Sequence, residues 1–306
     1  MKKSGLILLI LMLALGVLLG QRRGGFGGRF GGRFGGGGGG GGWGEGDYIS
    51  EDTQTAREVP QHGRNEDGSI FVTPNWTNTP GFEKDVFTFV RVRRERNPYG
   101  SGGNWATDTP DSDLNLSYRL QQMTSIKVDP NGRYLRLTDP DLCDYPFIYM
   151  VEPGSLLLEN DEVVALRKYL LNGGFLMLDD FWGEREWEGM ATEIKKVFPD
   201  REWVELPLTH PIYHCVFEIT SKAQVPGIDY WRRSGGDTSE RGADSAVVHH
   251  RAIFDDKGRM MVIATHNMDN GDGWEREGED HEYFEKFSEK ISYPLGINII
   301  FYSMTH

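Results

Sequence analysis

The stretch from Phe147 to Leu178 limits the possible folds of this chain more than any other part of it. Phe147-Ile148-Tyr149-Met150-Val151 is a continuous apolar run of the kind buried on both faces of a sheet. From Asn160 the pattern turns helical. Asp161 and Glu162 suit the positive end of a helix dipole, and Val163, Leu166 and Leu170 form one face. Gly173-Gly174 ends that helix, and Phe175-Leu176-Met177-Leu178 follows at once as another buried strand. Strand, helix and strand in so short a span make a crossover between parallel strands.

The flanking chain keeps this alternation. Val86 to Val92 reads as the strand that opens the domain, and Asn97-Pro98-Tyr99-Gly100 with Ser101-Gly102-Gly103 as the loop after it. Ser112 is placed to cap a helix carrying Leu116, Leu120 and Met123, and Tyr134-Leu135-Arg136-Leu137 is a short strand. Trp187, Met190, Ile194 and Val197 mark a helix that Pro199 stops. Trp203-Val204-Glu205-Leu206 and the run from Tyr213 to Ile219 are strand candidates. Asp255-Asp256-Lys257-Gly258 turns a hairpin between Ala252-Ile253-Phe254 and the run from Met260 to Ala264. Ile291, Leu295, Ile299 and Tyr302 have helical spacing, with Pro294 tolerated near the start. The pattern predicts an α/β fold: a doubly wound, mostly parallel sheet with helices on both faces and ligands at the carboxyl ends of its strands.

The amino-terminal part is a different kind of polymer. Of the 40 glycines, 16 lie between Gly24 and Gly46, a composition that cannot build a packed core. Residues 1–20 read as a signal peptide or N-terminal anchor: Met1-Lys2-Lys3 precedes an apolar run over 6–19 that is short for a membrane span. Residues 21–46 read as a disordered Gly-, Arg- and Phe-rich tether, 47–84 as a polar lead-in and 85–306 as one α/β domain. Six Lys and Arg and no acid precede Glu45, so the net charge of −13 divides into +6 for the head and −19 for the rest. That acidity excludes nucleic acid as a partner of the folded part. The expected location is periplasmic or secreted, with membrane contact only through the N-terminal segment. Cys143 and Cys215 are open both to pairing in an oxidising compartment and to remaining free, Cys215 lying within an expected apolar strand.

Candidate chemistry gathers at the expected strand ends. Asp179-Asp180 closes the strand that starts at Phe175, where a carboxylate can bind a metal, share a proton or hold a sugar hydroxyl. His210 and His214 flank Pro211, which rules out the helical zinc pair; His249-His250 lies beside an Arg- and Ser-rich stretch. His266 and Asp269 follow the strand that starts at Met260. The acids beyond them (Asp272, Glu275, Glu277, Glu279) read as an acidic surface loop, because their spacing does not fit a calcium loop. Trp182, Trp187, Trp231 and Trp274 stand beside loops and suit the mouth of a cleft. The sequence has no G-x-S-x-G elbow, P-loop or glycine fingerprint, and it identifies no cofactor. The expected cleft uses Asp179, Asp180, Trp182, His210, His214, His266 and Asp269. It serves either a binding module for a polar envelope glycan or partner protein, or a metal- or carboxylate-dependent hydrolase of glycan or amide bonds.

Several motifs taken together carry a resemblance. Leu166-Arg167-Lys168-Tyr169-Leu170 through Gly173-Gly174 to Asp179-Asp180-Phe181, His210-Pro211-Ile212-Tyr213-His214, and Leu295-Gly296-Ile297-Asn298 to Met304-Thr305-His306 resemble the bacterial family known as domain of unknown function 4159. Leu137-Thr138-Asp139-Pro140 and Tyr145-Pro146 fit the same pattern, over about residues 85–306. The resemblance implies a class I glutamine-amidotransferase-like fold. Active amidotransferases carry a Cys at the turn after a central strand. Here the comparable turn reads Asp179-Asp180-Phe181-Trp182, without a thiol, which speaks against amidotransferase activity.

Overall fold

The computed structural model describes residues 49–81, 85–94 and 105–306. The expected signal and tether, and the expected loop from Asn97 to Gly103, lie outside the described residues. Among the described residues seven strands form one sheet: β1 (Val90–Val92), β2 (Arg133–Leu135), β3 (Phe147–Val151), β4 (Phe175–Asp179), β5 (Val204–Glu205), β6 (His249–Phe254) and β7 (Met260–His266). Their order is β2-β1-β3-β4-β7-β6-β5, parallel from β2 to β7, with β6 and β5 added antiparallel at one edge. The expected crossover is present, and β3 pairs with β4 from Phe147↔Phe175 to Val151↔Asp179. The chain leaves β1 towards β2 on one side and then builds β3 and β4 on the other, so the order reverses between β1 and β3. In open α/β sheets the ligand crevice lies at such a reversal, outside the carboxyl ends of the strands.

The helices are α1 (Asp111–Met123), α2 (Asn160–Leu171), α3 (Gly183–Val197), α4 (Ile228–Ser234), α5 (Asn270–Glu275), α6 (His281–Tyr283) and α7 (Tyr293–Thr305). A π-helix, Phe284–Ser292, joins α6 to α7. Alternation along β3 assigns them to faces. Phe147, Tyr149 and Val151 pack with Leu116 and Leu120 of α1 and with Leu295 and Ile299 of α7. Ile148 and Met150 pack with Leu166 and Leu170 of α2 and with Met190 and Ile194 of α3. Each such side chain contributes about 1.5–3 kcal/mol by leaving water, and because both faces are covered the parallel strands read as unbroken apolar runs. Among the described residues no helix is long and apolar enough to cross a membrane.

Local chemistry sets the ends. Glu159 and Glu162 form a capping box at the start of α2. Gly173, with φ of 107°, ends that turn where a side chain would be strained. Arg91 is fully buried in β1; its Nε lies 3.0 Å from Asp113 in the first turn of α1, and its Nη1 donates to the carbonyls of Trp105 and Thr107. One guanidinium thereby fixes the approach of the β1–α1 loop to the sheet. The lead-in is packed as well: Ile49, Ala56 and Val59 share a core with Trp105, Ala106, Leu114 and Tyr134.

Several sequence expectations need correction. The run from Tyr213 to Ile219, with Cys215 inside it, is not a strand. Pro211–Tyr213 is a turn of 3-10 helix, and the backbone N–H groups of Val216 and Phe217 donate to the Asn298 side chain on α7 instead of to a neighbouring strand. Ser112 does not cap α1 but sits in its first turn, where its hydroxyl accepts from Arg91. The first strand is confined to Val90–Val92, with Phe87 making only an isolated bridge to Val128. His249-His250 belongs to β6. Both cysteines are free; Cys143 is exposed and the Cys215 thiol faces the Asn298 carbonyl.

Candidate functional site

Among the described residues, the non-glycine residues with left-handed backbone are Asp108, Glu152, Asp180 and Asn267, with φ of 63°, 47°, 56° and 65°. Glu152, Asp180 and Asn267 directly follow β3, β4 and β7, and Asp108 lies in the loop leaving β1. This conformation costs an L-residue energy and gathers at functional sites when the surroundings enforce it. The enforcing contacts are visible. Arg94 donates to the carbonyls of Val151 and Glu152, both at 2.7 Å, and Asn267 accepts from Gly183 and donates to Val247.

At this edge three carboxylates, Asp108, Asp180 and Asp269, place oxygens within 4.8 Å of one another, and all three are buried. Asp108, Asp272 and Glu275 form a second such group, and His62 with Asp111 and Glu275 a third. Burial, followed by the fields of Glu152, Asp108 and Glu240, lifts Asp180 well above the usual carboxylate range. Asp269 is raised in the same way by burial and by Asp180, Asp108 and Asp272. Burial also raises Glu275, although Arg276 opposes it, and moves Glu240 to about 7. Arg276, 2.8 Å from Asp272 and 2.9 Å from Glu275, supplies positive charge on the outer side. Carboxylates this close cannot all ionise without counter-charge, so they must share protons or hold a cation. Two oxygens on one calcium ion lie at most about 5 Å apart, twice the metal–oxygen distance. The oxygens of each group are therefore close enough to share one such ion.

Asp179 has another task. It accepts from Tyr149 Oη at 3.0 Å, from Asn270 Nδ2 at 2.7 Å, from the backbone N–H groups of Asn270 and Gly271, and from Thr265. Those donors fill its lone pairs and anchor the start of α5, and Asp179 belongs to none of the three groups above. Asp269 caps α5 by accepting from Asp272 N at 2.7 Å. Trp182 donates its indole N–H to Asp180 at 2.9 Å and orients that carboxylate.

The histidines expected at the site, His210, His214 and His266, do not join the carboxylates. His210 caps the 3-10 turn and packs against Phe254 and Tyr302, near where β7 begins and away from the carboxyl ends of the parallel strands. His214 bonds Glu218 and the Leu208 carbonyl. His266 stacks on Phe181, bonds the Gly183 carbonyl and is held to about 4 by burial, so it is neutral near pH 7. The tryptophans do not rim a cleft: Trp274 is fully buried, Trp231 packs on Tyr283 and Phe287, and Trp187 packs on Trp203. The expected acidic surface loop is likewise mistaken, because Asp272 and Glu275 are buried in α5.

A family model described as domain of unknown function (DUF4159) matches residues 88–304. The chain belongs to the DUF4159 family. No curated protein matches it. The matched span of this DUF4159 member includes Asp108, Asp180, Asp269, Asp272 and Glu275, whereas His62 comes from the strap that precedes it. Sequence reasoning missed Asp108, Glu152, Glu240 and His62. Applying the strand-end rule to β3 as well as β4 would have pointed to Glu152, the residue directly after β3. His62 leaves no such signal.

Proposed function

We propose that this chain is an exported, amidotransferase-like α/β domain whose carboxylate centre binds a divalent cation and hydrolyses an amide or glycosidic bond of a polar envelope ligand. The observation that carries the reading is the convergence of Asp108, Asp180 and Asp269 at the carboxyl ends of the parallel strands. Oxygen-only donors favour calcium, magnesium or manganese. A cation held there supplies a Lewis acid and an activated water. Trp182 fixes Asp180 for that task, and Asp179 holds α5, and with it Asp269, in place. The turn after β4 offers Asp180-Phe181-Trp182 in place of a cysteine, which argues for metal or carboxylate chemistry over thiol chemistry.

A second reading, a binding module for a glycan or a partner protein, is favoured by the structural bonds that occupy His210, His214 and His266 and keep these three imidazoles from proton transfer at Asp108, Asp180 and Asp269. The test uses the full chain with magnesium, calcium or manganese against chromogenic amides and glycosides and against cell-wall fragments. Turnover that needs the cation and is lost in Asp180→Asn supports the hydrolase. Cation-dependent retention of fragments without turnover supports binding. The absence of both turnover and retention would overturn both readings.

A further inference from the structure

Asp108 belongs to two carboxylate groups at once, one with Asp180 and Asp269 and the other with Asp272 and Glu275. Its place between them depends on Gly271, where a β-carbon would collide with the Asp108 Oδ2 atom. Glu275 is 1% exposed, and neither of its carboxylate oxygens accepts a hydrogen bond. The side-chain nitrogens facing it are Arg276 Nε at 2.9 Å and His62 Nδ1 at 3.6 Å. A buried carboxylate is normally satisfied by several hydrogen bonds, and one that lacks them while facing two further carboxylates has the surroundings of a cation ligand. Asp272 uses one oxygen for Arg276 and the other for Ile228 N, and each oxygen keeps a second lone pair.

We propose that the centre holds two divalent cations, the second bound by Asp272 and Glu275, with Asp108 bridging the pair. This rests on the cation reading of the first group. Charge balance supports it. When ionised, the five carboxylates carry five negative charges, Arg276 offsets one, and two divalent cations offset the other four. Glu152 and Glu240 add to the negative field from the other side while accepting hydrogen bonds from Thr107 and Gly227. Bridged pairs of this kind hold their metals about 3.5–4 Å apart and stabilise both the attacking and the leaving atom of a displacement. The all-oxygen donor set points to manganese, magnesium or calcium.

Manganese is the probe, because coupling between two ions is visible by electron paramagnetic resonance. The full chain, loaded with manganese and freed of excess, is expected to bind two ions per chain and to give an exchange-coupled spectrum. Glu275→Gln should bind one ion with an uncoupled six-line spectrum and melt as a folded protein, and Asp272→Asn should repeat that result if Glu275→Gln does not fold. One uncoupled ion in the unsubstituted chain would overturn the second site and leave the first standing. No bound manganese would remove the underlying cation reading as well.

Discussion

Without divalent ions the folded chain should become less stable as the pH rises from 6.5 to 8. Glu240 illustrates the sign. Burial raises it from 4.5 to about 7, so the folded state binds its proton more tightly than the unfolded state does. The stability it contributes is full below about pH 4.5 and is lost as the pH climbs through about 7, on the order of 3 kcal/mol in all. Asp180, Asp269 and Glu275 shift in the same direction, mainly through burial. A single proton retained by that cluster gives a slope of about 1.4 kcal/mol per pH unit, hence about 2 kcal/mol between pH 6.5 and 8. Two buried histidines act oppositely. His250 is lowered to about 3 and His266 to about 4, so what they contribute is present above their ordinary value of 6.5 and is lost as the pH falls. Above pH 6.5 the carboxylates therefore set the slope. Urea unfolding in chelator at four pH values across this window reads the effect directly. Saturating magnesium or manganese should flatten or reverse it, because the cation replaces the protons. Stability that is flat or rising with pH in chelator would mean that the buried carboxylates hold no extra proton in the folded state.

Other substitutions probe separate parts of the account. Gly271→Ala should push Asp108 out of place and weaken manganese binding at least tenfold, about 1.4 kcal/mol, as read by titration calorimetry. Asp113→Ala strands the fully buried Arg91 charge and should cost about 3–5 kcal/mol in denaturant unfolding. Asn298→Ala removes the acceptor of Val216 N and Phe217 N and the donor to the Phe217 carbonyl, and should lower stability by about 2–3 kcal/mol. A melting temperature within a degree of the unsubstituted protein would contradict that last assignment.

The crossover from β3 to β4 was legible because strands buried on both faces leave continuous apolar runs, and Gly173-Gly174 marks the helix end between them. Asp180 and Asp269 were legible for a related reason: in a parallel sheet the residues just past the strands face the crevice. The histidines misled because residue type suggests ligation, while the backbone at Pro211 and the stack on Phe181 decide where the imidazoles point. Asp272 and Glu275 sit in an acid-rich stretch that reads as solvated. They are drawn inside because Asp179 receives the first N–H groups of α5, a contact between segments far apart in sequence. Asp108 depends on Arg91 gripping the Trp105 and Thr107 carbonyls, and His62 on a strap laid over α1 by the bonds of Gln61 and His62 to Asp111. Neither is a local pattern. The run from Tyr213 to Ile219 has strand composition, but its hydrogen bonds go to a side chain on α7.

The most direct test of a cation at the carboxyl ends of the parallel strands is anomalous diffraction from crystals of the full chain soaked in manganese. A peak is expected within bonding distance of Asp108, Asp180 and Asp269, and it should disappear in Asp180→Asn. Anomalous density only at exposed surface carboxylates, with nothing among these three, would contradict it.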